Sequence, residues 1–478
     1  MSNGKSPHMA GPQRAGDPGT APPPGSWFVH LFAPNGTRDK DRPIHAKGHV
    51  LFWLFAAATL TVAWGLSFAP ELVEKAYTEG VGQLIGRFLA TVSGVFPFGL
   101  TEVLLAALII WIPYAFLRAV YDVLNLRRRV LNALACGLFQ LVSAAAGAAF
   151  YFYLAWGLNY ARPDLVERMH WEQAARVDRS RTNVEELTKL CAELVEATNG
   201  AYVEASGSQD VGDPSLPPPL EQVDEGLDAA YQRVGAHLGL HSTFALSRGR
   251  AKPMFASLVL CYTGCEGFYN PFTGEANYNR LSPGSSLPQA IAHEKAHQRG
   301  VTGEDEANFF GYLACMCAAD PYSRYSGYLF AQEQLLAELL RPDRDRAREL
   351  MAKRNPGVQR DVAAAAAFWR QYEGVAAQVA MRANDAYLKL HHVEGGIGSY
   401  QRCAQLLVVF ARVNGETCMP PGWAKASAPE DTGPSFSPEA EKSAVEGVRD
   451  AAPAETGEPA PSDSESPSAE ETIELPTL

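Results

Sequence analysis

Three long apolar runs stand near the start of the chain, over residues 49–68, 100–120 and 131–158. Each is near the roughly 20 residues that a helix needs to cross a bilayer core. Trp53, Trp64, Trp111 and Trp156, with Tyr151 and Tyr153, lie in or near these runs, as interfacial anchors often do. The pattern predicts three transmembrane helices. The arm before the first run is too long for the leading region of a cleaved signal, and no clear small-x-small site follows, so that run reads as a signal anchor.

Beyond residue 160 the spacing changes. Residues 183–198 (NVEELTKLCAELVEAT) place apolar positions at helical intervals, with Asn183 as N-cap. Residues 206–222 read as a loop by composition, and 227–238 as a helix. Residues 253–280 mix apolar and aromatic positions with Gly and Pro, which predicts short strands and turns. Helical sequence resumes from 288 to about 319, broken around Gly300–Gly303, and returns over 327–341, 359–392 and 399–413. The domains expected are a disordered cytoplasmic arm (1–47), a membrane domain (48–159), an extracytoplasmic domain (160–424) and a disordered acidic tail (425–478).

Composition and charge narrow the class. Hydrophobic residues make up 47%, so a folded core is possible over most of the length, and the formal net charge of −12 argues against non-specific nucleic-acid binding, which needs a basic surface, although much of the acidity sits in the tail after about residue 425. Arg38, Lys40, Arg42 and Lys47 precede the first run, and Arg127, Arg128 and Arg129 separate the second from the third. The segment between the first two runs holds only Lys75 and Arg87 against Glu71, Glu74 and Glu79. By the positive-inside rule the amino terminus is cytoplasmic, the protein is multi-pass in the cell membrane, and the large domain lies outside the cytoplasm. The eight cysteines form no CxxC pair. They read as small buried residues, or as disulfides in an extracytoplasmic domain.

The chemistry sits in AHEKAHQRG, residues 292–300. On a helix His293 and His297 are four apart and face one side, so both imidazoles can reach one Zn²⁺ ion. Glu294 lies beside them and can act as general base on the attacking water. GEDEANFFGYL (303–313) reads as the start of a second helix, which could bring an acidic third ligand. Glu304 is preferred and Glu306 competes. Asn308, four residues after Glu304, could hold a ligand from behind. Glu275 and Asn277 are either polar groups of the site or satisfied turn residues. Tyr325, His391, His392, Tyr400 and Arg402 are candidates for stabilising an oxyanion. An edge strand within 254–272 could pair with a substrate backbone.

The linked segments GFYNPFTGEANYN, AHEKAHQRG and EDEANFFGYLAC, after three apolar runs, closely resemble a bacterial membrane family of unknown function, domain of unknown function 3810. The resemblance covers roughly residues 50–415. That family resembles membrane-associated zincins, and the ExxxN of Glu304 and Asn308 is similar to the ExxxD of thermolysin-like enzymes. Asn for Asp keeps an orienting hydrogen bond and removes its charge. The resemblance implies a helix-dominated α+β fold, with three N-terminal transmembrane helices followed by a zincin-like metallopeptidase domain. The function expected is zinc-dependent hydrolysis of peptide bonds in envelope or membrane-proximal proteins, with lipid and a peptide or protein as partners. The alternatives are a tethered binding or sensor protein with a structural or non-hydrolytic zinc site, and an envelope small-molecule amidohydrolase.

Overall fold

Two helices are each long and apolar enough to cross a membrane, α3 (Leu100–Leu124) and α4 (Val130–Ala155). This corrects the expectation of three such helices. The first apolar run does form a helix, α1 (Ala46–Leu66). The chain then turns and restarts as α2 (Pro70–Gly94), bent by 109° from it, and only the bent pair together would make a third span. The physical cause is Pro70, at the first helical position of α2. A proline is tolerated there but forces the residue before it out of helical geometry, and Ala69 sits at φ −132, ψ 62. Within α2 the winding is π-type over Val73–Val81, with Gly80 outside helical φ/ψ. Helix α1 lies along α4, where Trp53 Nε1 donates to Ser143 Oγ at 2.9 Å.

The computed structural model describes residues 46–125, 129–176, 184–207, 212–390 and 402–423. Most of the amino-terminal arm, Arg127, Arg128, Asn183, His391, His392, Tyr400 and the acidic tail lie outside the described residues.

Helices dominate the rest of the chain. They are α5 (Val184–Ser206), α6 (Leu220–Leu238), α7 (Ser257–Thr263), α8 (Leu287–Gln298), α9 (Glu304–Met316), α10 (Pro321–Leu339), α11 (Arg344–Ala352), α12 (Pro356–Arg370), α13 (Val375–Leu390) and α14 (Cys403–Val413). One small sheet accompanies them, formed by β1 (Lys252–Pro253), β2 (Gly267–Asn270) and β3 (Glu275–Tyr278) in the order β1-β3-β2. Strand β1 runs parallel to β3, and β2 antiparallel with Gly267 opposite Tyr278. The break between α8 and α9 falls where Gly300–Gly303 predicts it, and Gly300 adopts φ +83.

The core gathers the inward faces of α5, α6, α9, α10 and α14 around α8. Almost every residue of α8 is buried, polar ones included, so each charge on it needs a partner. Lys295 Nζ meets Asp224 at 2.8 Å and Asp228 at 3.1 Å, and Arg299 meets Asp228 at 2.7 Å. Lys295 in the last turn of α8 and Arg299 just past its end thus face two acids four apart on α6, which fixes the rotation of α8 about its axis. Close approach of α8 to α9 depends on Gly311, where a Cβ would stand 2.8 Å from Gln289 Nε2 and 3.2 Å from the His293 backbone nitrogen. All eight cysteines are free, six of them buried.

Candidate metal centre

With Lys295 and Arg299 held against α6, the other side of α8 presents His293 and His297. Their Nε2 atoms stand 3.0 Å apart. Glu304, in the first turn of α9, brings Oε2 to 3.2 Å from His293 Nε2 and 3.6 Å from His297 Nε2. Among the described residues this is the one group of three or more His, Cys, Asp or Glu side chains close enough to share an ion. Donor atoms at zinc bond lengths stand roughly 3.3–3.6 Å apart in a tetrahedron, close to the separations seen here.

The far ring nitrogens are also engaged. His297 Nδ1 donates to the Val301 carbonyl at 2.7 Å and His293 Nδ1 lies 2.8 Å from Asn308 Oδ1. With Nδ1–H committed to those oxygens, a neutral ring turns its Nε2 lone pair toward the shared point. The donor set therefore fits a zinc ion: two imidazoles and one carboxylate, each oriented from behind.

Electrostatics tie the group together. Burial lowers the His297 pKa, but the charge and hydrogen bond of Glu304 overcome it and raise it to about 9. Burial pushes the Glu304 carboxyl up, yet His297 and the hydrogen bonds from both imidazoles hold it far below the usual carboxylate range. Glu294 is pushed up to about 7, first by burial, against the pull of His293 and His297 and with the help of Glu304. Its Oε2 is buried with no hydrogen-bond partner. Strand β2 lies directly over it, since a Cβ on Gly267 would stand 2.8 Å from Glu294 Cγ.

The other anticipated residues divide clearly. Glu306 turns away from the histidines and binds the Leu165 N–H at 2.7 Å and the Arg168 guanidinium. Asn308 stands behind His293, where the spacing placed it. Glu275 and Asn277 lie at the junction with the membrane helices. Glu275 accepts from the Leu100 and Thr101 N–H groups at 2.9 and 2.8 Å and from Lys252 Nζ at 2.7 Å, and Asn277 Nδ2 reaches the Glu275 carbonyl at 3.1 Å. Tyr325 is bonded to Asp361 at 2.7 Å and packs between Tyr202 and Tyr322. Arg402 pairs with Asp305 at 3.2 Å.

Sequence reasoning missed one set of neighbours. Trp156, just past the end of α4, donates from Nε1 to the His297 carbonyl at 3.1 Å and sets its ring edge-on to the imidazole. Three residues on, Asn159 packs under Gly300, and Arg162 joins the Gly300 carbonyl to Glu74. Tyr160 and Tyr387 share a hydrogen bond at 3.1 Å, and Glu304 is close enough to help raise the Tyr387 hydroxyl to about 12, behind burial as the main cause. Tyr151, Tyr153 and Trp156 read only as interfacial anchors; nothing in their spacing points to α8.

A family model described as protein of unknown function (DUF3810) matches residues 77–408. No curated protein and no solved structure matches the chain.

Proposed function

The chain belongs to this family of unknown function, whose name carries no activity, so we propose one from the site: a membrane-anchored zinc peptidase acting on proteins near the membrane. The observation that carries the reading is Glu294. Its carboxylate oxygen is buried without a partner beside the donor triad of His293, His297 and Glu304. A site that only held the fold together would need no base there, and an unpartnered buried oxygen costs about 1–3 kcal/mol.

His293, His297 and Glu304 are the residues that would hold zinc. Zinc bound there supplies a Lewis acid for a carbonyl and for the attacking water. Glu294 takes a proton from that water and passes it to the leaving amine. Asn308 and the Val301 carbonyl keep the two rings aimed while this happens. Strand β2 ends the sheet beside Glu294, and an extended peptide can pair with such an edge. That edge favours a peptide over a small amide. The flanking basic residues favour the face outside the cytoplasm, where envelope proteins are the available substrates.

The test is metal analysis of the purified full chain, paired with peptide-library cleavage by wild type and Glu294→Gln. Both proteins should carry about one zinc per chain, and only wild type should cleave. Zinc in both with no cleavage by either would favour a binding or sensor protein, and absence of metal would end the reading.

A further inference from the structure

The second half of α2, Gly82–Gly94, is built the wrong way round for water. An amphipathic helix on a soluble protein turns its apolar face inward and its polar face out. The face of α2 that meets the domain carries Gln83, Ala90 and Ser93, all buried. Gln83 donates to the Arg299 carbonyl at 3.3 Å and its own carbonyl receives Arg248 at 3.1 Å. The Ser93 carbonyl receives Lys252 at 2.7 Å. A Cβ on Gly274, which has φ +70, would strike Leu89 and Ala90 at 2.8 and 2.9 Å, so the β2–β3 turn is pressed onto the helix backbone. The opposite stripe is Leu84, Phe88, Val92 and Val95, spaced at helical intervals and exposed, with Leu84 at 68% and Phe88 at 67%.

This stripe sits at a defined level. Five residues (95–99) separate α2 from α3, a reach of roughly 17 Å at most. Among them Phe96 and Phe98 are exposed too, and exposed apolar residues resume in α3 at Val103 and Leu104, so the apolar stripe continues along the chain from α2 to α3. On the other side of the same helix end, Glu102 in the first turn of α3 accepts from the Phe255 and Ala256 N–H groups at 3.1 and 2.8 Å. Phe255 and Val259 are exposed there, at 69% and 61%, and Arg280 sets its guanidinium over the Phe255 ring at 5.6 Å. Two apolar patches therefore flank the domain-side end of one membrane helix, with Arg280 beside one and exposed Arg87 beside the other.

We propose that α2 lies in the plane of the membrane interface, its Leu84–Phe88–Val92–Val95 stripe seated at the boundary of headgroups and acyl chains, with Phe255 and Val259 inserted at the same level. The occupant of both patches is lipid. Continuity with α3 argues for it, and so do the flanking arginines, whose stems can lie along acyl chains while their heads reach phosphates. The inference does not depend on the peptidase reading, because it concerns how the chain is seated and not what the metal centre does.

The experiment uses the full chain in nanodiscs of phosphatidylcholine and phosphatidylglycerol. A small fluorophore is attached to Phe88→Cys, Val92→Cys or Val259→Cys, with Leu216→Cys, a domain position 81% exposed, as the water-facing control. Signal from the native cysteines is subtracted using wild type. Lipids carrying nitroxides at shallow or deep positions, and aqueous iodide, serve as quenchers. Shallow nitroxides should quench positions 88, 92 and 259 more than deep ones, and iodide should act at least about threefold more slowly there than at 216. Equal iodide quenching at 88 and 216 would place the stripe in water and overturn the proposal. Dominant quenching by deep nitroxides would make α2 part of a crossing helix and overturn it as well. Protection from iodide without lipid quenching, lost on dilution of the protein among discs, would assign the stripe to a second copy of the chain. Phe88→Cys and Val92→Cys report on the same stripe, so failure of one variant to fold leaves the other to decide.

Discussion

At the scale of single residues, the division of labour between Glu304 and Glu306 is the sharpest claim. Glu304 lies with the two Nε2 atoms and Glu306 neutralises Arg168. Glu304→Ala should abolish stoichiometric zinc, measured by emission spectroscopy on the purified protein. Glu306→Ala should keep the metal but lose roughly 3 kcal/mol of stability, because a nearly buried guanidinium is left without its partner; a denaturant titration reads this. Asn308→Ala should weaken zinc affinity about 10–100-fold by releasing the His293 ring, while Asn308→Asp should hold it as tightly or more so. Affinity should also depend on pH in one direction. Metal-free His297 keeps its proton up to about 9, and the metal must displace that proton. Affinity should therefore rise about tenfold per pH unit between roughly 7 and 9 and level off above. Below about 7 protonation of Glu294 removes a negative charge beside the site, so the slope there should be steeper than one proton. A chelator-competition series that is flat across this range would contradict the arrangement.

At the scale of elements, the meeting of His293, His297 and Glu304 is legible in the sequence because its spacing is local. Helical spacing brings His293 and His297 together, and Gly300–Gly303 forecasts the turn that returns Glu304 to them. The apolar run LPQAIA suits a helix packed into a core, but the burial of Lys295 and Gln298 with it is not legible, because a helix packed on all sides carries no amphipathic stripe. One long-range signal was present in the sequence: Asp224 and Asp228 share the spacing of Lys295 and Arg299, and the two pairs meet. The role of Glu275 was hidden, because its partners Leu100 and Thr101 lie some 175 positions away along the chain. Glu275 caps the first turn of α3 and neutralises Lys252, so Glu275→Ala should destabilise the protein by roughly 3 kcal/mol without removing zinc. Gly274→Val should cost a comparable amount by forcing α2 off the β2–β3 turn, since both φ and space forbid the side chain. Zinc content measured beside thermal unfolding separates these losses from damage to the centre.

For the whole molecule, the governing fact is that α3 and α4 are both tied to the domain at their near ends. Glu275 and Glu102 hold the start of α3, and Trp156, Asn159 and Arg162 hold the chain just past α4 to the end of α8 and the residues that follow it. A reporter active only outside the cytoplasm should work when fused after residue 170 and be silent when fused near residue 126; the reverse pattern would invert the orientation drawn from the basic residues. The Trp156 contact has a wider consequence. Trp156 touches the backbone of the same His297 that faces Glu304, so the end of α4 is held to the His293–His297–Glu304 group by direct contact and not by a swinging linker. For the proposed peptidase this works as a ruler. Such an enzyme selects a scissile bond by its distance from the lipid surface more than by the residues around it, and moving a cleavage sequence outward along a tethered substrate should protect it even though every residue of the sequence is unchanged.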